Sequence, residues 1–201
     1  MSVETTLKPS ISTQDHLSVV TRALEQKQSL LIKLGNNCDI FLNGTRRSFF
    51  TQDNEHLKAT GNDYRNLSFI PGQSPPAHLN REHPISELQW ILAYYQSNGS
   101  LLGQCRRDDV VKLIRWPNFT RLPHELADQR IAALFTRRAT SLVLASRVLK
   151  TDEPELNRFY SAANAAGYTR IINRTTPAVI ERQEHKHQSI IGKLITRFLS
   201  K

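Results

Sequence analysis

Hydrophobic residues near the start of the chain recur with the period of an α-helix. Leu17, Val20 and Leu24 follow the three-four spacing of one helix face, and Ser12–Asp15 before them offers a hydroxyl cap with an acid three residues on. The pattern predicts a helix from about residue 13 to residue 27.

Short apolar runs of strand length then replace the helical period. They cover residues 30–34, 38–42 and 45–50, and turn residues separate them. Asn43-Gly44 is expected to supply a positive φ for a tight hairpin. With a further strand at 66–70, these runs predict a helix-plus-meander domain over residues 12–70.

Prolines over residues 71–84 interrupt both the helical and the strand pattern, which predicts a linker. Beyond it the spacing predicts an α-rich domain over residues 85–177 and a separate amphipathic helix at 178–201. We expect helices at 86–96, 108–114, 125–138, 141–150 and 155–166, and strands at 100–105 and 168–172. Asn98-Gly99 should end the first helix in a left-handed conformation, and Thr140 should cap the fourth.

Residues 125–173 combine three short helices, a polar turn and a strand. Thr151–Pro154 restarts a helix with a capping aspartate and an early proline, and Gly167 ends that helix before Tyr168. This succession resembles a winged-helix module of the helix-turn-helix superfamily. The resemblance covers about a quarter of the chain and implies a shape more than an activity. We therefore expect an α+β protein with a winged-helix-like second domain.

Positive charge is concentrated in the last third of the chain. Up to Asp128 there are 14 lysines and arginines against 13 acidic residues, whereas residues 129–201 carry 13 against 5. A field of one sign attracts an acidic partner. The candidate partners are nucleic acid, an anionic membrane and an acidic protein surface. The alternative without a partner is a helical bundle whose basic surface is only solvated.

If the third helix of the module enters a major groove, its outward side chains would contact base edges. Asparagine and arginine have the paired groups that recognise adenine and guanine. The expected base-contacting residues are Asn157, Arg158, Ser161 and Asn164. The expected phosphate-contacting residues are Arg137, Arg138, Arg147, Lys150, Arg170 and Arg174.

Two features of the same helix favour a protein partner instead of DNA. Glu153 and Glu155 at its start would repel phosphate, and Ala162 and Ala165 leave few groups that could recognise bases. Many winged helices in signalling proteins act only as docking platforms.

The tail over residues 178–201 has apolar side chains at helical spacing with basic residues around them. Such a helix can cover its own domain, form a homodimer, dock in a partner's groove or lie on an anionic membrane. Gly192 weakens an isolated helix by about 1 kcal/mol, which favours packing. The expected docking residues are Lys186, Ile191, Lys193, Leu194, Arg197 and Phe198.

Motifs of catalysis and metal binding are not found in the sequence. There is no glycine-rich phosphate loop, no His-Glu-x-x-His and no serine elbow, so we expect no enzyme and no cofactor. His78, His83 and the pair His185 and His187 are expected at the surface, because no companions stand at metal-ligand spacing. Asp108-Asp109 is interpreted as acids at a helix start.

Other features set the expected environment of the chain. Cys38 and Cys105 are expected to be buried reduced thiols, and Trp90 and Trp116 to lie in a core or an interface. No apolar run approaches the length of a bilayer span, and the first residues lack the pattern of a secretion signal. The expected location is cytoplasmic.

Two functional hypotheses follow from these observations. The first is a cytoplasmic regulator that binds nucleic acid through its basic C-terminal half. The second is a non-enzymatic signalling adaptor whose winged helix and basic tail dock an acidic protein or an anionic membrane surface.

Overall fold

An antiparallel sheet and one helix form the first part of the fold. The computed structural model describes residues 16–34, 39–52, 61 and 63–174. The elements are α1 (His16–Glu25), β1 (Leu30–Lys33), β2 (Asp39–Asn43), β3 (Ser48–Thr51), a 3₁₀ turn (Asp63–Arg65), β4 (Ser68–Pro71) and β5 (Arg81–Pro84). The sheet has the order β4-β1-β2-β3-β5, and all of its pairs are antiparallel.

Helices and a smaller sheet form the second part. The elements are α2 (Ile85–Ser97), β6 (Val110–Leu113), α3 (Leu126–Arg137), β7 (Thr140–Ser141), α4 (Leu142–Leu149), α5 (Glu153–Ala165) and β8 (Thr169–Ile171). The smaller sheet has the antiparallel order β7-β6-β8. The α+β class predicted from the sequence is confirmed.

Helix α2 belongs to both hydrophobic cores. Leu88 and Leu92 pack with α1 and the larger sheet, whereas Trp90 and Ala93 pack with α3, α5 and the smaller sheet. Residues two positions apart lie on roughly opposite sides of a helix, so an α2 that is apolar on both sides can serve two cores. The helix ends at Asn98 (φ 44°) and Gly99 (φ 82°), which confirms the predicted left-handed end.

The segment 71–84 is not simply a linker, because strand β5 closes one edge of the larger sheet. Arg81 pairs with Thr51 and His83 pairs with Phe49. Pro84, which has no amide hydrogen, is the last residue of this edge strand, where it interrupts no ladder between two neighbours.

The predictions for residues 100–114 are wrong. Residues 100–105 form turns instead of a strand, and residues 110–113 form β6 instead of a helix. Val111 and Leu113 are buried while Val110 and Lys112 are only partly so, which is the period of two expected for a strand. The interpretation of Asp108 and Asp109 as acids at a helix start is therefore wrong, because a strand follows them.

The hairpin between β2 and β3 has its positive φ at Arg47 (53°) and not at Gly44. Gly44 is needed for space instead, because a Cβ there would lie 2.1 Å from the carbonyl oxygen of Gln28. The cap of α4 is also one residue later than predicted. Ser141 accepts a hydrogen bond from the Leu144 amide, and Thr140 belongs to β7.

Candidate nucleic-acid interface

The face of α5 that was expected to contact bases is covered by the end of α2 and the loop after it. Asn157 is 8% exposed and donates to the carbonyl oxygen of Gly99 at 3.0 Å. Ser161 is 2% exposed and accepts from the amide of Leu102 at 3.1 Å. These two side chains satisfy backbone groups of the loop and expose little of their surface to solvent.

The other two predicted base-contacting residues are also engaged within the protein. Arg158 lies 2.7 Å from Glu125 Oε2 and over the ring of Tyr94, 4.8 Å from its centroid. Asn164 accepts from the hydroxyl of Thr169 at 3.1 Å. The prediction of an exposed recognition face on α5 is therefore wrong. Sequence spacing predicts which residues share a face of α5, but it does not show that α2 and its following loop cover that face.

Arg174, which was predicted to contact phosphate, is also engaged within the protein. Its Nη2 donates to Asp109 Oδ2 at 2.7 Å, and its Nε lies 2.6 Å from Asp109 Oδ1. Asp109 is fully buried and also accepts from the hydroxyl of Tyr160 at 2.6 Å and from the amide of Arg106 at 2.8 Å. This pair is structural, and Asp109 does not begin a helix.

The five remaining phosphate-contacting candidates are exposed, and two further basic residues join them. We call this set the basic strip. It consists of Lys112, Arg130, Arg137, Arg138, Arg147, Lys150 and Arg170, of which only Lys112 is half-buried.

The smaller sheet and the end of α3 form one half of the basic strip. Lys112 and Arg170 are paired neighbours on β6 and β8, so their side chains leave the same face of the sheet. Lys112 Nζ donates to the carbonyl oxygen of Arg137 at 3.2 Å, which places the sheet beside the last turn of α3. Arg138 follows directly.

The facing sides of α3 and α4 form the other half. Arg130 and Arg137 are seven residues apart and therefore lie on one face of α3, two turns from each other. Arg130 Nη2 donates to the carbonyl oxygen of Leu149 at 2.6 Å, at the negative end of the α4 dipole. Lys150 caps that helix and Arg147 is in its last turn.

Carboxylates of the described part of the chain do not neutralise the basic strip. None of its seven side chains has a described carboxylate oxygen within 4.0 Å, whereas Arg107, Arg121, Arg158 and Arg174 each have one. Within the described residues, the charge of the strip is therefore not compensated by a carboxylate, and a cluster of like charges of this kind attracts anions.

Lys112 and Arg130 were missed by the sequence analysis, although a signal for each existed. Lys112 stands between Val111 and Leu113, so the alternation of a strand would have placed it outside. Arg130 stands two helical turns before Arg137. Neither signal shows that the sheet and the two helices meet.

An apolar face of α4 adjoins the basic strip. Val143, Leu144 and Val148 are each between 42% and 49% exposed. A cleft of about 230 Å³ lies between α4 and α5. Its lining includes Leu142, Leu156 and the ion pair of Arg107 with Glu153, joined at 2.9 Å.

His83 is buried, so its predicted surface position is wrong. Its Nδ1 lies 2.6 Å from Arg121 Nη2, which can only donate, so Nδ1 is the acceptor. Its Nε2, 3.0 Å from the hydroxyl of Thr51, therefore carries the hydrogen. Arg121 also donates to Glu87 at 3.0 Å, which ties the loop after β6 to β5 and α2.

Within the described ranges, no three His, Cys, Asp or Glu side chains are grouped as metal ligands.

Cys105 is a buried free thiol, as predicted, while Cys38 lies outside the described residues. Burial raises the pKa of the Cys105 thiol to about 11, although a hydrogen bond with Tyr160 opposes the shift. In a Cys38→Ser variant, Cys105 should react with iodoacetamide at pH 8 about a hundredfold more slowly than an ordinary thiol, because the thiolate becomes the main form only above about pH 11. Mass spectrometry over time measures the rate, and a rate equal to that of a free peptide thiol contradicts the prediction.

The predicted tail residues from Lys186 to Phe198 lie outside the described residues, so their docking role stays a prediction. Among the helices of the described ranges, none is both long and apolar enough to cross a membrane.

Comparison of the chain with family models, with curated proteins and with solved structures finds no match.

Proposed function

We propose that this protein is a cytoplasmic regulator that binds nucleic acid through the basic strip. The observation that carries the proposal is the arrangement of seven basic side chains across β6, β8, α3 and α4, with no described carboxylate within 4.0 Å of any of them. Such contacts engage phosphates and supply affinity without reading sequence.

The order of elements from α3 to β8 supports a module of winged-helix type within this proposal. A helix, a short strand, two helices and a strand follow one another, and β6 lies between β7 and β8 in the sheet. Since α2 and its following loop cover α5, the proposed contact uses the sheet and the ends of α3 and α4 instead of a recognition helix.

Removing three charges of the basic strip tests the proposal. The variant Lys112→Ala/Arg137→Ala/Arg170→Ala should weaken binding of a single-stranded 12-mer roughly 100-fold near 0.1 M salt. It should also reduce the slope of log affinity against log salt by about 2, because about 0.7 counterions are released per phosphate contact. Fluorescence anisotropy at several salt concentrations measures both quantities.

The matched control removes three exposed basic residues of the larger sheet and its hairpin, Lys33, Arg46 and Arg81. The change in net charge is the same, so the affinity of the control variant should fall much less. Equal losses for the two variants would mean that net charge alone drives binding. Absence of any salt-dependent binding by the unaltered protein would overturn the proposal.

A second candidate function, the signalling adaptor, is favoured by the exposed face of α4. Val143, Leu144 and Val148 lie beside Arg147 and Lys150, so this face suits an acidic partner that also buries apolar side chains. An acidic protein or an anionic membrane would then occupy the charges that nucleic acid occupies in the first proposal. Unaltered protein that fails to bind nucleic acid at low salt would make this function the better one.

A further inference from the structure

An aromatic groove lies in the loop between β6 and α3. Trp116 is 51% exposed there, so it does not lie in the core, and the alternative position in an interface stays a prediction. The lining also includes Asn118, Phe119, His124 and Gln129. A tryptophan that presents half its surface to solvent in an open groove offers a flat apolar face to a ligand.

The ring of Trp116 is held in place by a chain of aromatic contacts. Its centroid lies 5.9 Å from that of Phe119 with an interplanar angle of 83°, and Phe119 lies edge-on to the buried Trp90 at 6.3 Å. On its other side Phe119 contacts His124 at 4.9 Å. Edge-to-face contacts of this kind fix the orientation of a ring. The exposed face is therefore preorganised by the core.

At two points, residues of the groove lie close along the chain to residues of the basic strip. Trp116 follows Lys112 by four residues, which separates their Cα atoms by at most about 14 Å. On α3, Gln129 of the groove directly precedes Arg130 of the strip. A chain of phosphates bound along the strip can therefore bring an attached base to Trp116.

We propose that the ligand of this surface is single-stranded nucleic acid, with a base stacked on Trp116 and the phosphates on the basic strip. This inference rests on the proposed function and names its substrate class. In a duplex the faces of the bases are stacked on one another, so a protein ring reaches them only in a single strand or at an end. A charged groove with an aromatic platform is the combination that proteins use to bind single strands without sequence preference.

Intrinsic fluorescence tests the stacking directly, because Trp90 is fully buried and Trp116 is not. Three probes of equal length are titrated: a thymidine 12-mer, an abasic 12-mer with the same phosphates, and a 12-base-pair duplex. We expect the thymidine strand to quench the fluorescence of Trp116 and to bind about 5- to 150-fold more tightly than the abasic strand. The duplex exposes base faces only at its two ends, so it should quench this fluorescence much less.

Substitutions of Trp116 complete the test. Trp116→Ala should lose roughly 5- to 150-fold in affinity for the thymidine strand and nothing for the abasic strand, and Trp116→Phe should restore much of the loss. Ile70→Ala, which removes another exposed apolar side chain on β4, is the control and should change neither affinity. Unaltered circular dichroism is required of each variant.

The outcomes separate the two proposals. Equal, salt-dependent binding of the thymidine and abasic strands would overturn stacking on Trp116 and leave phosphate binding by the strip intact. Preferential binding of the duplex would also overturn the inference while the proposed function stands. Failure of all three probes to bind at low salt would overturn the proposed function itself, and the inference with it.

Discussion

Replacing Trp90 by alanine is expected to lower the free energy of unfolding by about 4 kcal/mol, in the range found for deletion of a large buried aromatic side chain. Trp90 is fully buried on α2, the helix that both cores share. Its ring contacts Phe159 at 5.6 Å and Tyr168 at 5.9 Å, and its Nε1 donates to the carbonyl oxygen of Pro123 at 3.0 Å. Alanine would leave a cavity among these rings, and the carbonyl oxygen of Pro123 would lose its hydrogen-bond donor.

Chemical denaturation followed by circular dichroism measures this loss, and the midpoint of thermal unfolding should fall by roughly 10 °C. The matched control is Trp116→Ala, the same chemical change at a half-exposed position, for which we expect a loss below about 1 kcal/mol. A similar small loss at both positions would contradict the central packing of Trp90.

Replacing Asp109 by alanine is expected to lower the free energy of unfolding by about 3–4 kcal/mol. Asp109 receives hydrogen bonds from Tyr160, Arg106 and Arg174, and it is fully buried. Its removal leaves the partly buried Arg174 without its counter-charge, which costs about 3 kcal/mol, the lower end of the range for a fully buried pair. The loss of the acceptor for the buried hydroxyl of Tyr160 adds to that cost.

The neighbouring residue provides the control for this second prediction. Asp108 is exposed, and only its backbone oxygen is bonded, to Asn173. Asp108→Ala should therefore change stability by no more than about 0.5 kcal/mol. A double-mutant cycle of Asp109→Ala with Tyr160→Phe should show coupling above about 0.5 kcal/mol. Additive effects would mean that the carboxylate and the hydroxyl do not stabilise each other.

The long periodic segments were predicted correctly because their patterns are local. Helices α2, α3 and α5 begin and end within about two residues of the predicted positions. The left-handed end of α2 and the early Pro154 of α5 follow from the conformational limits of those residue types. Strand β6 was missed because its pattern covers only four residues, and the two acids before it indicated the start of a helix.

The candidate site was predicted in part. Arg137, Arg138, Arg147, Lys150 and Arg170 were selected from the excess of basic residues, and the structure exposes all five. Arg174 was selected on the same grounds, and Arg158 was selected as a base-contacting residue of the third helix. Asp109 engages Arg174, and Glu125 engages Arg158. Sequence spacing could not separate the two groups, because the acidic partner of each engaged arginine is more than 30 residues away.

The sequence by itself determined the α+β class, the position of most helices and the concentration of positive charge in the C-terminal third. These properties depend on composition and on contacts within one or two turns of chain. Tertiary structure alone decided that α2 covers α5, that β6 joins β7 and β8, and that Lys112 and Arg130 lie at the ends of the helices that carry predicted arginines. These contacts depend on which apolar faces pack together. The periodicity of a segment shows that it has an apolar face, but not which distant segment packs against it.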